Sequence, residues 1–108
     1  MINNCENQTT LIGYIVLKPE QISDNPLGVR TRLATNETFY SKKFKKVVTQ
    51  SEYHNLKIWN KSAKFALDNL TVGDKVYILG KLHYNEIQME NQKLIKIPEI
   101  IVLKLIKI

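Results

Sequence analysis

Between Glu52 and Gly80 the chain changes its hydrophobic period once and then changes it back, and this constrains the fold more than any other feature. From Tyr53 to Trp59 residues alternate, with Tyr53, Asn55, Lys57 and Trp59 on one side and His54, Leu56 and Ile58 on the other. After Asn60 the spacing of Ala63, Ala66, Leu67 and Leu70 is helical, with Asn60 or Ser62 placed to cap the start and Gly73 just past the end. Period two then returns, with Val76, Ile78, Gly80 and Leu82 as the inward face of another strand. One short helix therefore sits between two strands.

The flanking sequence supplies further strands. Thr10 to Leu17 places Leu11, Gly13, Ile15 and Leu17 on one face and Ile12, Tyr14 and Val16 on the other, so both faces are expected to be covered. Gly13 is expected to mark a bulge or sharp bend, and the turn formers between Lys18 and Leu27 end the strand. From Gly28 to Asn36, Val29, Thr31 and Leu33 alternate with Arg30, Arg32 and Ala34, giving an apolar face and a face with two guanidinium groups. No period survives from Glu37 to Gln50, where Lys42 to Lys46 suggest a mobile basic loop. Asn85 to Gln92 is a polar connection, and Lys93 to Lys107 a long final strand interrupted at Pro98. The expected fold is all-β, a five-stranded OB-fold barrel with one short α-helix between strands 3 and 4. Its 108 residues fit a single domain, 1–108, led by about nine polar, flexible residues.

Composition narrows the partners. Sixteen Lys and Arg against ten Asp and Glu leave a net charge of +6, which attracts polyanions. Cys5 is the single cysteine, so no internal disulfide is possible, and with two histidines it does not supply a structural zinc site; no metal or other cofactor is implied. The polar N-terminus lacks a signal-peptide core and no segment approaches a membrane span, which points to a soluble, cytoplasmic protein. The carboxylates are scattered singly, with no acidic pair near Tyr53 to Trp59 to hold a catalytic metal, so nuclease chemistry and enzymatic activity in general are not expected.

The face carrying Tyr53, Asn55, Lys57 and Trp59 holds the candidate binding residues, because rings stack on any base while cations follow a phosphate backbone. Asn55 and Lys57 rarely point into a core, so the rings beside them face solvent too. Arg30 and Arg32 are candidate phosphate contacts, and Lys43, Lys45 and Lys46 an electrostatic guide. Phe39 and Phe44 are loop rings able to fold down onto the barrel; Tyr14, Tyr77 and Phe65 are structural. His54 points inward, and the run Ile100 to Leu103 is apolar on both faces, so that one face meets another subunit unless the helix covers it.

In order and spacing, Leu11-Ile12-Gly13, Pro19-Glu20, Leu33 to Glu37, Glu52-Tyr53-His54 with Trp59 and Lys61, Gly73 to Leu82 and Glu99 to Val102 resemble the bacterial-type single-stranded DNA-binding proteins. The resemblance covers Thr10 to Leu103 and implies sequence-tolerant binding of single-stranded DNA in replication, repair and recombination, by a homotetramer or dimer associated with the nucleoid. It implies base platforms at Phe39, Tyr53 and Trp59, and a fourth near Ile87 that is lost here or moved to Tyr84. It also implies that His54 is an interface residue, which adds to Ile101 and Leu103, the interface candidates from the doubly apolar run. The family's replication hubs end in an acidic tip, whereas this sequence ends in Leu103 to Ile108, basic and apolar, so recruitment of enzymes through such a tip is not expected. The runner-up is an accessory protein resembling primosomal replication protein N, dimeric and bridging DNA to a helicase loader. Preference between DNA and RNA stays open.

Overall fold

The computed structural model describes residues 4–108. Its elements are β1 (Thr9–Asp24), β2 (Leu27–Ser41), β3 (Lys46–Trp59), α1 (Asn60–Asn69), β4 (Lys75–Gln88) and β5 (Leu94–Lys107). They close a barrel in the order β1-β2-β3-β5-β4, antiparallel except where β3 meets β5 in parallel through Leu56↔Ile100 and Lys57↔Ile101. This is the five-stranded OB-fold barrel, with its single helix between β3 and β4. Ile15, Val29, Leu33, Leu56, Ile58, Val76, Ile78, Ile100 and Val102 fill the interior. Ala63 and Ala66, fully buried, let α1 pack closely on the barrel.

Several local expectations are corrected. No cap from Asn60 or Ser62 forms: Trp59, still extended, occupies the N-cap position without a side-chain bond, and Asn60 turns the chain with φ of 60°. The strand runs straight into the helix, and Asn is among the few residues that tolerate this left-handed conformation. Gly13 is not at a bulge; it pairs regularly with Val76 and leaves room for the Ala34 carbonyl. The first register shift comes later, between Ile15 and Leu17, after β1 has passed from its β4 ladder to its β2 ladder at Tyr14. The strand does not end at Lys18. It continues to Asp24 because irregular pairing absorbs Pro19, and the buried Thr31 hydroxyl donates to the Leu17 carbonyl. The outer face of β1 is not covered in the single chain: Ile12 is 53% and Tyr14 42% exposed.

The expected loop between Glu37 and Gln50 is instead a β-ribbon. β2 and β3 pair without a break from Gly28↔Trp59 to Ser41↔Lys46, and only Lys42 to Lys45 form the turn. Beyond Thr35 and Glu52 both faces of this ribbon meet solvent, so nothing demands apolar alternation there. Backbone pairs hold it with cross-strand contacts such as Ser51 Oγ to Asn36 Oδ1 at 2.7 Å. The polar connection after Asn85 is likewise a second ribbon, β4 pairing β5 out to Gln88↔Leu94, with Pro98 inside the ladder opposite Tyr84. At the N-terminus, Asn7 donates to the Leu82 carbonyl and accepts from the Leu82 N–H, tying this segment to β4.

The link from α1 to β4 is also fixed. Gly73, with φ of 97°, donates to the Ile15 carbonyl at 2.8 Å, and the Asp74 carbonyl accepts from Ile15 N–H. The Asp74 carboxylate accepts from Thr71 N–H at 2.9 Å and lies 3.4 Å from Lys107 Nζ. The Thr71 hydrogen bond, supported by the Lys107 charge against a partial desolvation cost, holds this carboxyl below its ordinary 3.8.

Candidate nucleic-acid interface

Pairing of β2 with β3 sets the candidate residues in rungs across one sheet face. Trp59 lies opposite Gly28, Lys57 opposite Arg30, Asn55 opposite Arg32, and Tyr53 opposite Ala34. At 3.3–3.4 Å per residue the two rings stand about 20 Å apart along the strand, with the cations and amide between them. Tyr53 is 63% exposed and Trp59 half-buried.

The middle rungs floor a cleft of about 450 Å³. Leu17 and Ile22 of β1 wall one side; Asn85, Ile87, Ile97 and Glu99 of the β4–β5 ribbon wall the other. Arg30, Arg32, Asn55 and Lys57 are thus brought together between aliphatic walls. Arg30 makes a pair of hydrogen bonds to Glu20 Oε2 at 3.1 and 3.2 Å, and Arg32 Nε donates to Asn55 Oδ1 at 3.2 Å. Lys57 Nζ lies 3.2 Å from Glu99 Oε1, an ion-pair distance without hydrogen-bond alignment.

The remaining candidates lie outside this cleft. Phe39, 47% exposed, pairs with Val48 on the β2–β3 ribbon, and the unbroken register alternates it with Thr31 and Leu33, whereas Tyr40 alternates with Arg30 and Arg32. Lys43 and Lys45 form the ribbon tip and Lys46 opens β3; Lys43 Nζ stands 5.4 Å from the Phe44 ring. Tyr84, 54% exposed, alternates with Leu82 on β4, on the side opposite the cleft-lining Asn85 and Ile87.

Among the interface candidates, His54 is half-buried and its Nε2 lies 2.9 Å from Thr35 Oγ1. Ile101 is half-buried beside the inward Ile100 and Val102, while Leu103, 60% exposed, is the unpaired residue of the β5 bulge.

Sequence reasoning missed Leu17, Ile22, Ile97 and Glu99. Leu17 closes the expected first strand, and Ile22 lies in the extension beyond Lys18, hidden by its turn-forming residues. Alternation from the buried Ile100 gives no reason to expect the burial of Glu99. Ile87 had a signal, since the family pattern placed a ring there.

Among the described residues no group of three or more His, Cys, Asp or Glu is arranged to hold a metal ion, and no helix is long and apolar enough to cross a membrane. Structures with this fold include a Plasmodium falciparum SSB in complex with ssDNA, at TM-score 0.86 and 23% identity, covering 100% of this chain and 99% of that one. A small single-stranded DNA-binding protein from Streptomyces coelicolor matches at TM-score 0.74 and 19% identity over 95% of each chain. A deletion variant of the single-stranded DNA binding protein from Thermus aquaticus matches at TM-score 0.78 and 18% identity, over 95% of this chain and 50% of that one. The model of the single-strand binding protein family matches residues 6–107, and the chain belongs to that family.

Proposed function

We propose that the protein binds single-stranded DNA with little regard to sequence and holds it unpaired during replication, repair and recombination. The observation that carries this is the run of rungs from Tyr53 to Trp59, with two rings flanking Arg30, Arg32 and Asn55 on one open face. Bases stack on Tyr53 and Trp59, and on Phe39 where the strand passes the ribbon. Phosphates pair with Arg30, Arg32 and the ribbon-tip Lys43, Lys45 and Lys46. Arg30 exchanges Glu20 for phosphate readily, since both side chains are more than half exposed.

The working form in this proposal is a cytoplasmic, nucleoid-associated homotetramer. Exposed Ile12, Tyr14, Leu103, Ile106 and Ile108 give the outer surface of β1 and β5 apolar area that association would bury.

The test is titration of Trp59 emission, the only tryptophan, with oligo(dT), oligo(rU) and duplex DNA. Single strands quench it and duplex does not, because only unpaired bases offer their faces for stacking. Equal binding of duplex rejects the proposal, and stronger quenching by oligo(rU) than by oligo(dT) moves the substrate to RNA.

A further inference from the structure

The cleft cations are not equally free. Arg30 and Glu20 pair with side chains 59% and 56% exposed, where water screens the attraction and a phosphate can replace the carboxylate. Lys57 and Glu99 pair with side chains only 22% and 10% exposed. Screening is weak there, and drawing Lys57 away would leave a desolvated carboxylate alone, which is strongly unfavourable. Glu99 Oε1 has no hydrogen bond, and His83, its partner across the β4–β5 ladder, approaches it only to 3.9 Å through Nε2. Among the described residues Lys57 is therefore the nearest compensation for this charge. The backbone fixes the pairing: Glu99 precedes Ile100, and Ile100 and Ile101 pair with Leu56 and Lys57 at the parallel seam that closes the barrel.

We infer that Glu99 is the internal counter-charge of the cleft, a positioning residue that holds the Lys57 ammonium at the floor and withdraws it from the cations that neutralise phosphates. Lys57 then shapes the floor between Trp59 and Asn55 without holding the backbone. Glu99 lowers both the affinity and the salt sensitivity that the cleft composition would otherwise give. This rests on the proposed binding of single strands.

The experiment measures oligo(dT) affinity against salt for the full chain, with Glu99→Gln and with Glu99→Gln combined with Lys57→Gln. Releasing one cation steepens the log–log slope of Glu99→Gln by about 0.7 and tightens binding about five-fold near 0.1 M salt, the curves converging near 1 M. Adding Lys57→Gln returns the slope to the wild-type value. A folded Glu99→Gln protein with an unchanged or shallower slope overturns the inference. If Glu99→Gln fails to fold, the double variant decides, since it leaves no lone buried charge: a slope about 0.7 shallower than wild type shows that Lys57 already neutralises a phosphate and overturns the inference. Wild-type protein that does not bind oligo(dT) at all instead removes the proposed function, and this inference with it.

Discussion

The six-membered ring of Trp59 lies over Gly28, its partner across the β2–β3 ladder, so closely that a Cβ added to Gly28 would stand 2.6 Å from Cζ3. The missing side chain lets the indole rest against the sheet with one face covered and the rest open, at the end of the row leading to Tyr53. Gly28→Ala should lift the ring at a stability cost of about 1–3 kcal/mol, as overpacking does. Trp59 emission in the free protein should shift and quenching by oligo(dT) should fall. Wild-type emission and affinity in this variant would show that the ring position does not matter.

Tyr53 and Trp59 should each contribute about 1–3 kcal/mol per stacked base, read as weaker affinity on substitution by Ala. Tyr53→Ala should leave thermal stability nearly unchanged, because the ring is mostly exposed. Trp59→Ala should cost some stability as well, since its ring packs on Gly28. Binding of Trp59→Ala can be followed by fluorescence anisotropy of a labelled oligonucleotide.

Neutralising Lys43, Lys45 and Lys46 together should flatten the salt dependence by about 0.7 in log–log slope for each phosphate that the tip no longer neutralises. The melting temperature should stay the same, because the residues stand at the exposed tip of the β2–β3 ribbon, away from the barrel core. An unaltered slope would remove the tip from the strand path.

Assembly has its own test. Light scattering at micromolar protein should give the mass of a tetramer; the mass of a dimer would favour the accessory-protein alternative. Leu103→Asp should lower that mass while the barrel stays folded, since Leu103 is exposed in the single chain and a carboxylate buried against a partner is costly. A wild-type monomer would end the oligomer proposal.

The link after α1 should respond to acid. The folded-state carboxyl of Asp74 lies below its ordinary 3.8, so its contribution to stability is fully present above that value and is lost as pH falls through the lowered folded value. Asp74→Asn should therefore destabilise the protein at neutral pH, and the difference from wild type should shrink in strong acid. A difference that stays constant in melts from pH 7 to below pH 3 would mean that the charge is not what matters.

Alternation over Tyr53 to Trp59 and the helical spacing of Ala63, Ala66 and Leu70 already determined the central part of the barrel. Each of these elements buries one face, and burial imposes a period on the residues. The same alternation placed Asn55 and Lys57 with the rings. Where chain leaves the barrel, that constraint disappears: the β2–β3 and β4–β5 ribbons expose both faces, so backbone pairing maintains strands that no hydrophobic pattern announces. The continuation of β1 past Pro19 depended on bulges that only the pairing with β2 could establish. Tertiary structure also decided what each cation faces. Arg30 and Lys57 face each other on one rung and are of similar sequence character, yet Glu20 meets one in solvent and Glu99 meets the other in a closed seam. Glu20 comes from the neighbouring strand β1 whereas Glu99 comes from β5, distant in sequence, and the dielectric around each pair depends on the walls of the cleft, which exist only once the barrel has closed.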